Sequence, residues 1–159
     1  MNKEQFISHA EVAQKTLRRF LTALCCGDVS LADEIAQETF VKAYLSCEGF
    51  KSDSRFDTWL HRIALNTFLN HRRVKSRTTG YDEAREIPST EKADNAFRYQ
   101  ELYEALERLP EKERSAILLF YLEGYSSKEI AALLECSDDS VRQYLSRGRS
   151  RLKEMLAEL

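Results

Sequence analysis

The sequence predicts an all-α fold: two small helical domains joined by a flexible linker, the second of them a helix-turn-helix. Three observations predict it. The 159 residues include only five Gly and two Pro, too few punctuators for a protein of strands and tight turns. Apolar residues recur at spacings of three and four, which gathers them on one face of a helix. That periodicity lapses across residues 78–95, leaving one periodic stretch on either side.

Residues 4–26 read as the first helix, with Phe6, Ala10, Ala13, Leu17, Phe20, Leu21 and Leu24 on one stripe and Gly27-Asp28 as its stop. Ser30-Leu31-Ala32-Asp33 has the form of a capping box, in which a Ser side chain and an acid three residues on satisfy orphan amides at a helix start. The helix it opens turns Leu31, Ile35, Phe40, Ala43 and Tyr44 inward, sets Asp33, Glu34, Gln37 and Glu38 mainly aside from that stripe, and ends at Gly49. Ser54-Arg55-Phe56-Asp57 repeats the box before a third helix carrying Phe56, Trp59, Leu60 and Ile63. Beyond Ala64 the phase shifts at Leu65, Phe68 and Leu69, which predicts a break near Asn66-Thr67, two residues able to bond the backbone in non-helical ways. The helix then resumes into the basic run His71-Arg72-Arg73-Val74-Lys75-Ser76-Arg77.

Thr78-Thr79-Gly80, a run of charges and Pro88-Ser89-Thr90 read as a mobile linker. The expected domains are therefore 1–77 and 97–159, with 78–96 between them. Order returns with Tyr99, Leu102, Tyr103, Leu106 and Leu109, closed by Pro110. A helix from about Glu111 to Glu123 follows, with Gly124 as its left-handed cap.

Ser126-Ser127-Lys128-Glu129 is a third capping box, opening a short helix with Ile130, Ala131, Leu133 and Leu134. Glu135-Cys136-Ser137 forms a turn, and Ser137 caps a longer helix with Val141, Tyr144, Leu145, Gly148 and Leu152 inward. A short helix, a tight turn and a long helix match the helix-turn-helix template.

Net charge is −2, which at first argues against nucleic acid, but its distribution argues for it. Residues 51–80 hold seven Lys/Arg against two Asp/Glu, and residues 140–153 hold five against none. Two basic patches on an otherwise acidic chain suggest localised phosphate contact, with acidic faces left for other partners. On the last helix Ser140, Arg142, Gln143, Ser146, Arg147, Arg149 and Arg151 avoid or flank the buried stripe. Arg and Gln in the N-terminal half of such a helix reach base edges in the major groove, and further Arg hold phosphates. The same residues also fit a merely solvated basic helix. In the first domain Trp59 beside Arg72 and Arg73 could stack on unpaired bases, although its spacing with Phe56 and Ile63 equally suits a core.

Other classes find little support. No apolar run is long enough to span a bilayer, and Met1-Asn2-Lys3-Glu4-Gln5 does not open a signal peptide, so a cytoplasmic location without membrane insertion is expected. Cys25, Cys26, Cys47 and Cys136 form no C-x-x-C pair, and His9, His61 and His71 are scattered, which predicts neither metal nor cofactor nor catalysis. His61 and His71 are expected at the surface or beside DNA.

Three blocks together resemble the extracytoplasmic-function group of the bacterial sigma-70 family of RNA polymerase sigma factors. Leu31 to Tyr44 resembles region 2.2, Phe56 to Asn66 continuing to Arg73 resembles regions 2.3 and 2.4, and Leu106-Glu107-Arg108-Leu109-Pro110 through Leu152 resembles region 4. The resemblance implies that Asp33, Gln37 and Glu38 contact core RNA polymerase. It implies that Trp59, Asn66, Thr67 and Asn70 act on an opened −10 element, where a protein pocket offsets the unstacking of a flipped base, with Arg72 and Arg73 on phosphate. It places Arg142, Gln143, Ser146 and Arg147 on the −35 element of promoter DNA, and it implies a cognate anti-sigma factor as a further partner. Gly148 stands where the family commonly has Ala, and Asp138-Asp139 where a small residue often precedes the Ser/Thr. Two other readings are a stand-alone helix-turn-helix regulator, which would bind duplex tightly without polymerase, and an adaptor, which would tolerate loss of Arg142 and Arg147.

Overall fold

A computed structural model describes residues 1–51, 55–77 and 93–157, the side chains of 76–77 and 93–98 excepted. Among them the chain is helical throughout: α1 (Lys3–Leu24), α2 (Val29–Ser46) with a 3-10 turn at Cys47–Gly49, α3 (Phe56–Arg77), α4 (Ala93–Arg108), α5 (Glu111–Tyr121), α6 (Ser127–Leu134) and α7 (Asp138–Ala157). The residues form two compact units. One holds Met1–Leu21 and the helices between residues 30 and 77; the other holds Thr22–Val29 and the helices from residue 93 onward. The expected linker lies mostly outside the described residues, as does Ser54 of the second expected capping box.

In the first unit Leu17 and Phe20 of α1, Ile35 and Ala43 of α2, and Leu60 and Phe68 of α3 are essentially inaccessible to water. Removing each large apolar side chain from water contributes about 1.5–3 kcal/mol. Phe6, Phe50, Phe56 and Trp59 form an aromatic cluster, with the Trp59 ring 4.9 Å from Phe50 and 5.7 Å from Phe56.

Three expectations change here. The break near Asn66-Thr67 is absent, because Thr67 is buried and its hydroxyl donates to the Ile63 carbonyl at 2.8 Å, a bond made inside an unbroken helix. The second helix begins at Val29, so Ser30 lies within it, and the Asp33 carboxylate takes Arg18 and Gln37 as partners. His61 is core: it is 3% exposed, its Nδ1 lies 2.7 Å from the Asp57 carbonyl, and Phe20 packs against its ring at 5.0 Å.

The second unit follows its local signals closely. Gly124 follows α5 in the left-handed conformation at φ +75°, and the Tyr125 amide donates back to the Leu119 carbonyl at 3.0 Å, which turns the chain away from the helix end. Ser126 and Glu129 form the complete capping box of α6, and the Ser140 amide donates to the Ser137 hydroxyl at 3.1 Å at the start of α7. Glu135, between the two helices, adopts the left-handed conformation at φ 54°, ψ 49°. Ile130 of α6, Val141 of α7 and Leu119 of α5 are essentially fully buried, which seats the helix-turn-helix on α5.

Candidate nucleic-acid interface

α7 has two distinct sides. Val141, Leu145 and Gly148 are buried, whereas Arg142, Gln143, Ser146 and Arg147 are exposed. The described cations of this helix differ in what holds them. Arg142 pairs with Asp138 one turn earlier, at 3.0 Å. Arg149 donates to the Tyr121 hydroxyl at 3.2 Å, and Arg151 Nε lies 3.2 Å from the Glu113 carboxylate. Ser140 is half-buried, its hydroxyl 2.8 Å from that of Ser137 in the helix cap. Asp138 and Asp139 stand in the first turn, where the helix dipole favours acids.

On α3, Asn66, Asn70 and Arg73 follow one another at spacings of four and three and are all exposed. Trp59, seven residues before Asn66, is part-exposed at the rim of the aromatic cluster. Arg72 is half-buried, with its guanidinium 6.0 Å from the Phe68 ring centre, a cation-π arrangement. Thr67 does not share their exposed face. Its hydroxyl accepts from Lys42 Nζ of α2 at 3.3 Å, so it joins two helices and is not presented to solvent.

On α2, Asp33 and Glu38 are half-buried and Gln37 is exposed. Gln37 Nε2 donates to Asp33 at 2.9 Å, while Arg18 pairs with the same carboxylate. Glu38 receives Lys42 at 3.2 Å and the His71 ring at 2.7 Å. The His71 hydrogen bond, aided by Lys42, holds the Glu38 carboxyl below its ordinary value despite an opposing desolvation effect. His71, expected at the surface or beside DNA, is therefore half-buried and binds α3 to α2.

Some participants escape sequence reasoning. Val41 and Leu45 continue the line of Gln37 along α2 at 58% and 74% exposure, off the inward stripe of that helix, and the sequence reading assigns them no role. Arg114 is 3% exposed and donates to the carbonyls of Leu106, Glu107 and Leu109, so a side chain from α5 caps the end of α4. Among the described residues no group of His, Cys, Asp and Glu is placed to hold a metal ion.

Comparison with known proteins decides what such an arrangement belongs to. The Sigma-70 region 2 family matches residues 9–78, and the Sigma-70, region 4 family matches residues 99–152. The ECF RNA polymerase sigma-E factor of Escherichia coli (strain K12) is 35% identical over 148 residues, spanning 84% of this chain and 76% of that protein. The chain belongs to the extracytoplasmic-function group of sigma-70 factors.

The RNA polymerase sigma-H factor of Pseudomonas aeruginosa is a similar relative, 32% identical over 147 residues, 83% of this chain and 76% of that one. Among solved structures, the Bartonella quintana sigma factor RpoE, crystallised with the anti-sigma factor NepR, shares the fold at a TM-score of 0.84 and 24% identity, covering 97% of this chain and 98% of that one. CnrH, solved with the cytosolic domain of CnrY, shares it at a TM-score of 0.76 and 24% identity, over 99% and 90%. As a sigma factor the chain directs core RNA polymerase to promoters and initiates transcription through −35 recognition and −10 melting. No helix among the described residues is long and apolar enough to cross a membrane.

Proposed function

We propose that the two steps divide between two helices: α7 reads the −35 duplex with Arg142, Gln143, Ser146 and Arg147, and α3 acts on the −10 element with Trp59, Asn66, Asn70, Arg72 and Arg73. The observation that carries this reading is the exposed face of α7, which from Ser140 to Lys153 contains no acid and sits on a helix-turn-helix with both caps formed. Arg and Gln on such a face match the donor and acceptor pattern of base edges in the major groove. Ser140 serves the helix cap, and Arg149, braced by Tyr121, is suited to phosphate. On α3 the exposed Asn side chains supply donors and acceptors for an unstacked base, with Arg72 and Arg73 at the backbone and Thr67 supporting from inside.

Core polymerase docks, in this reading, on α2 through Asp33, Gln37 and Glu38, with the exposed Val41 and Leu45 adding apolar area beside them. The sigma region 2 domain spans 1–77, the region 4 domain 97–159, and 78–96 connects them. The chain works in the cytoplasm, carries no catalytic activity or cofactor of its own, and is held in check by a cognate anti-sigma factor, as the Bartonella quintana protein is seen bound to one.

Run-off transcription with core polymerase on a pool of genomic promoters tests the assignment. Promoter-specific transcripts that appear only with both proteins are expected, and their loss in Arg142→Ala/Arg147→Ala is expected with them. A chain that binds duplex tightly and specifically without polymerase would instead be a stand-alone regulator.

A further inference from the structure

Glu113 stands in the first turn of α5, where acids ordinarily face solvent, yet its side chain is only 7% exposed. Its Oε1 receives no aligned hydrogen bond, so the charge that compensates it is Arg151, whose Nε lies 3.2 Å away on α7. A buried carboxylate without a partner is strongly unfavourable, and this pair is correspondingly hard to break. One turn before Arg151, Gly148 lies so close to α5 that an added Cβ would stand 2.9 Å from Ile117 Cγ1 and 3.7 Å from Glu113 Cβ. Two successive turns of α7 therefore meet two successive turns of α5. The first contact sets how near the helices come, and the second sets how α7 is rotated about its axis.

We propose that Glu113 is a positioning residue for −35 recognition: through Arg151, and over the Gly148–Ile117 approach, it fixes the rotation and height at which Arg142, Gln143, Ser146 and Arg147 meet the groove. This rests on the reading of α7 as the −35 helix. It also changes the role of Arg151, whose cation is committed to Glu113 and is not a phosphate contact. Paired hydrogen bonds to a base edge need both donors in place, so a small rotation of α7 alters which bases are accepted more than how tightly DNA is held.

The test uses holoenzyme assembled with Glu113→Gln, Arg151→Gln, both together, or Arg151→Lys. Each is assayed by run-off transcription on promoters randomised across the −35 element over a fixed −10 element, beside Arg142→Ala. Glu113→Gln and Arg151→Gln are each expected to change the relative use of −35 sequences by roughly three- to ten-fold and in the same pattern, with the double variant no worse than either single. Arg151→Lys keeps the charge and recovers most of the original preference. If Arg151→Gln lowers the use of every −35 sequence by a common factor while Glu113→Gln matches wild type, Arg151 is a phosphate contact and the proposal is overturned. A lower melting temperature with an unchanged preference would make the pair structural only, and overturns it as well. Arg142→Ala keeps the underlying reading separate: an unaltered −35 preference there removes α7 from base recognition, whatever the Glu113 variants do.

Discussion

The Arg142 guanidinium rests 3.0 Å from the carboxylate of Asp138, one helical turn nearer the start of α7. The pair places an acid beside an arginine that, in the proposed reading, meets a base of the −35 element. It restrains Arg142 along the helix axis and opposes any approach to phosphate at that end. Asp138→Asn should therefore raise affinity for random duplex and lower discrimination between −35 and random sequence. Fluorescence anisotropy of holoenzyme on both duplexes over a salt series checks this, with a steeper salt dependence expected for the variant. An unchanged ratio of the two affinities would show that Asp138 does not restrain the reader.

Glu135 carries a side chain at φ 54°, a conformation that costs a non-glycine residue roughly 1–2 kcal/mol. Glu135→Gly relieves that strain but gives back some unfolded-state entropy, so a net gain of about 0.5–1 kcal/mol is expected in urea unfolding. The turn conformation should be unaltered, and promoter preference with it.

Arg114 caps the last turn of α4 through three carbonyl bonds from inside the second unit. Arg114→Met fills much of the same volume but removes the guanidinium donor from the Glu107 and Leu109 carbonyls, while the Leu106 carbonyl keeps the Leu109 amide at 3.1 Å. A loss of about 3 kcal/mol is expected, since each unsatisfied buried polar group costs about 1–3 kcal/mol and part is recovered by packing. Chemical unfolding measures it; a loss near zero would mean that water replaces the guanidinium.

The link between Glu38 and His71 gives a pH dependence of definite sign. The Glu38 carboxyl is held below its ordinary value of 4.5, chiefly by the His71 hydrogen bond and also by Lys42. Its contribution to stability is thus fully present above that ordinary value and fades as pH falls through the lower, folded-state value. In His71→Ala the acid-side loss should become smaller, because the main cause of the depression is gone and the folded-state value returns towards the ordinary one. Unfolding midpoints of both proteins between acid and neutral pH check this.

The sequence makes legible whatever depends on neighbours along the chain. Ser126 with Glu129, Ser137 before α7, and Gly124 after α5 each announce a helix end through chemistry within a few residues, and all three form as expected. The two basic patches were visible for the same reason. Pairings between distant elements were not visible. Glu38 and His71 are 33 positions apart, and Glu113 meets Arg151 only after α5 and α7 have packed. Thr67 illustrates the cost of local reasoning alone. Its capacity for backbone bonding suggested a break, but the bond it makes lies within the helix, and Lys42 of a different helix takes its remaining capacity. Ser30 is no cap because α2 already begins at Val29, and the Asp33 carboxylate is taken by Arg18, a residue of another helix.

The central claim is that α7 holds the promoter duplex while α3 opens it. Holoenzyme complexes on one promoter can be probed by DNase protection across −35 and permanganate reactivity of unpaired thymines across −10. Asn66→Ala/Asn70→Ala is expected to keep the −35 protection and lose the permanganate signal, whereas Arg142→Ala/Arg147→Ala loses both. A full permanganate signal in the Asn66→Ala/Asn70→Ala complex, or undiminished −35 protection in the Arg142→Ala/Arg147→Ala complex, would contradict the account.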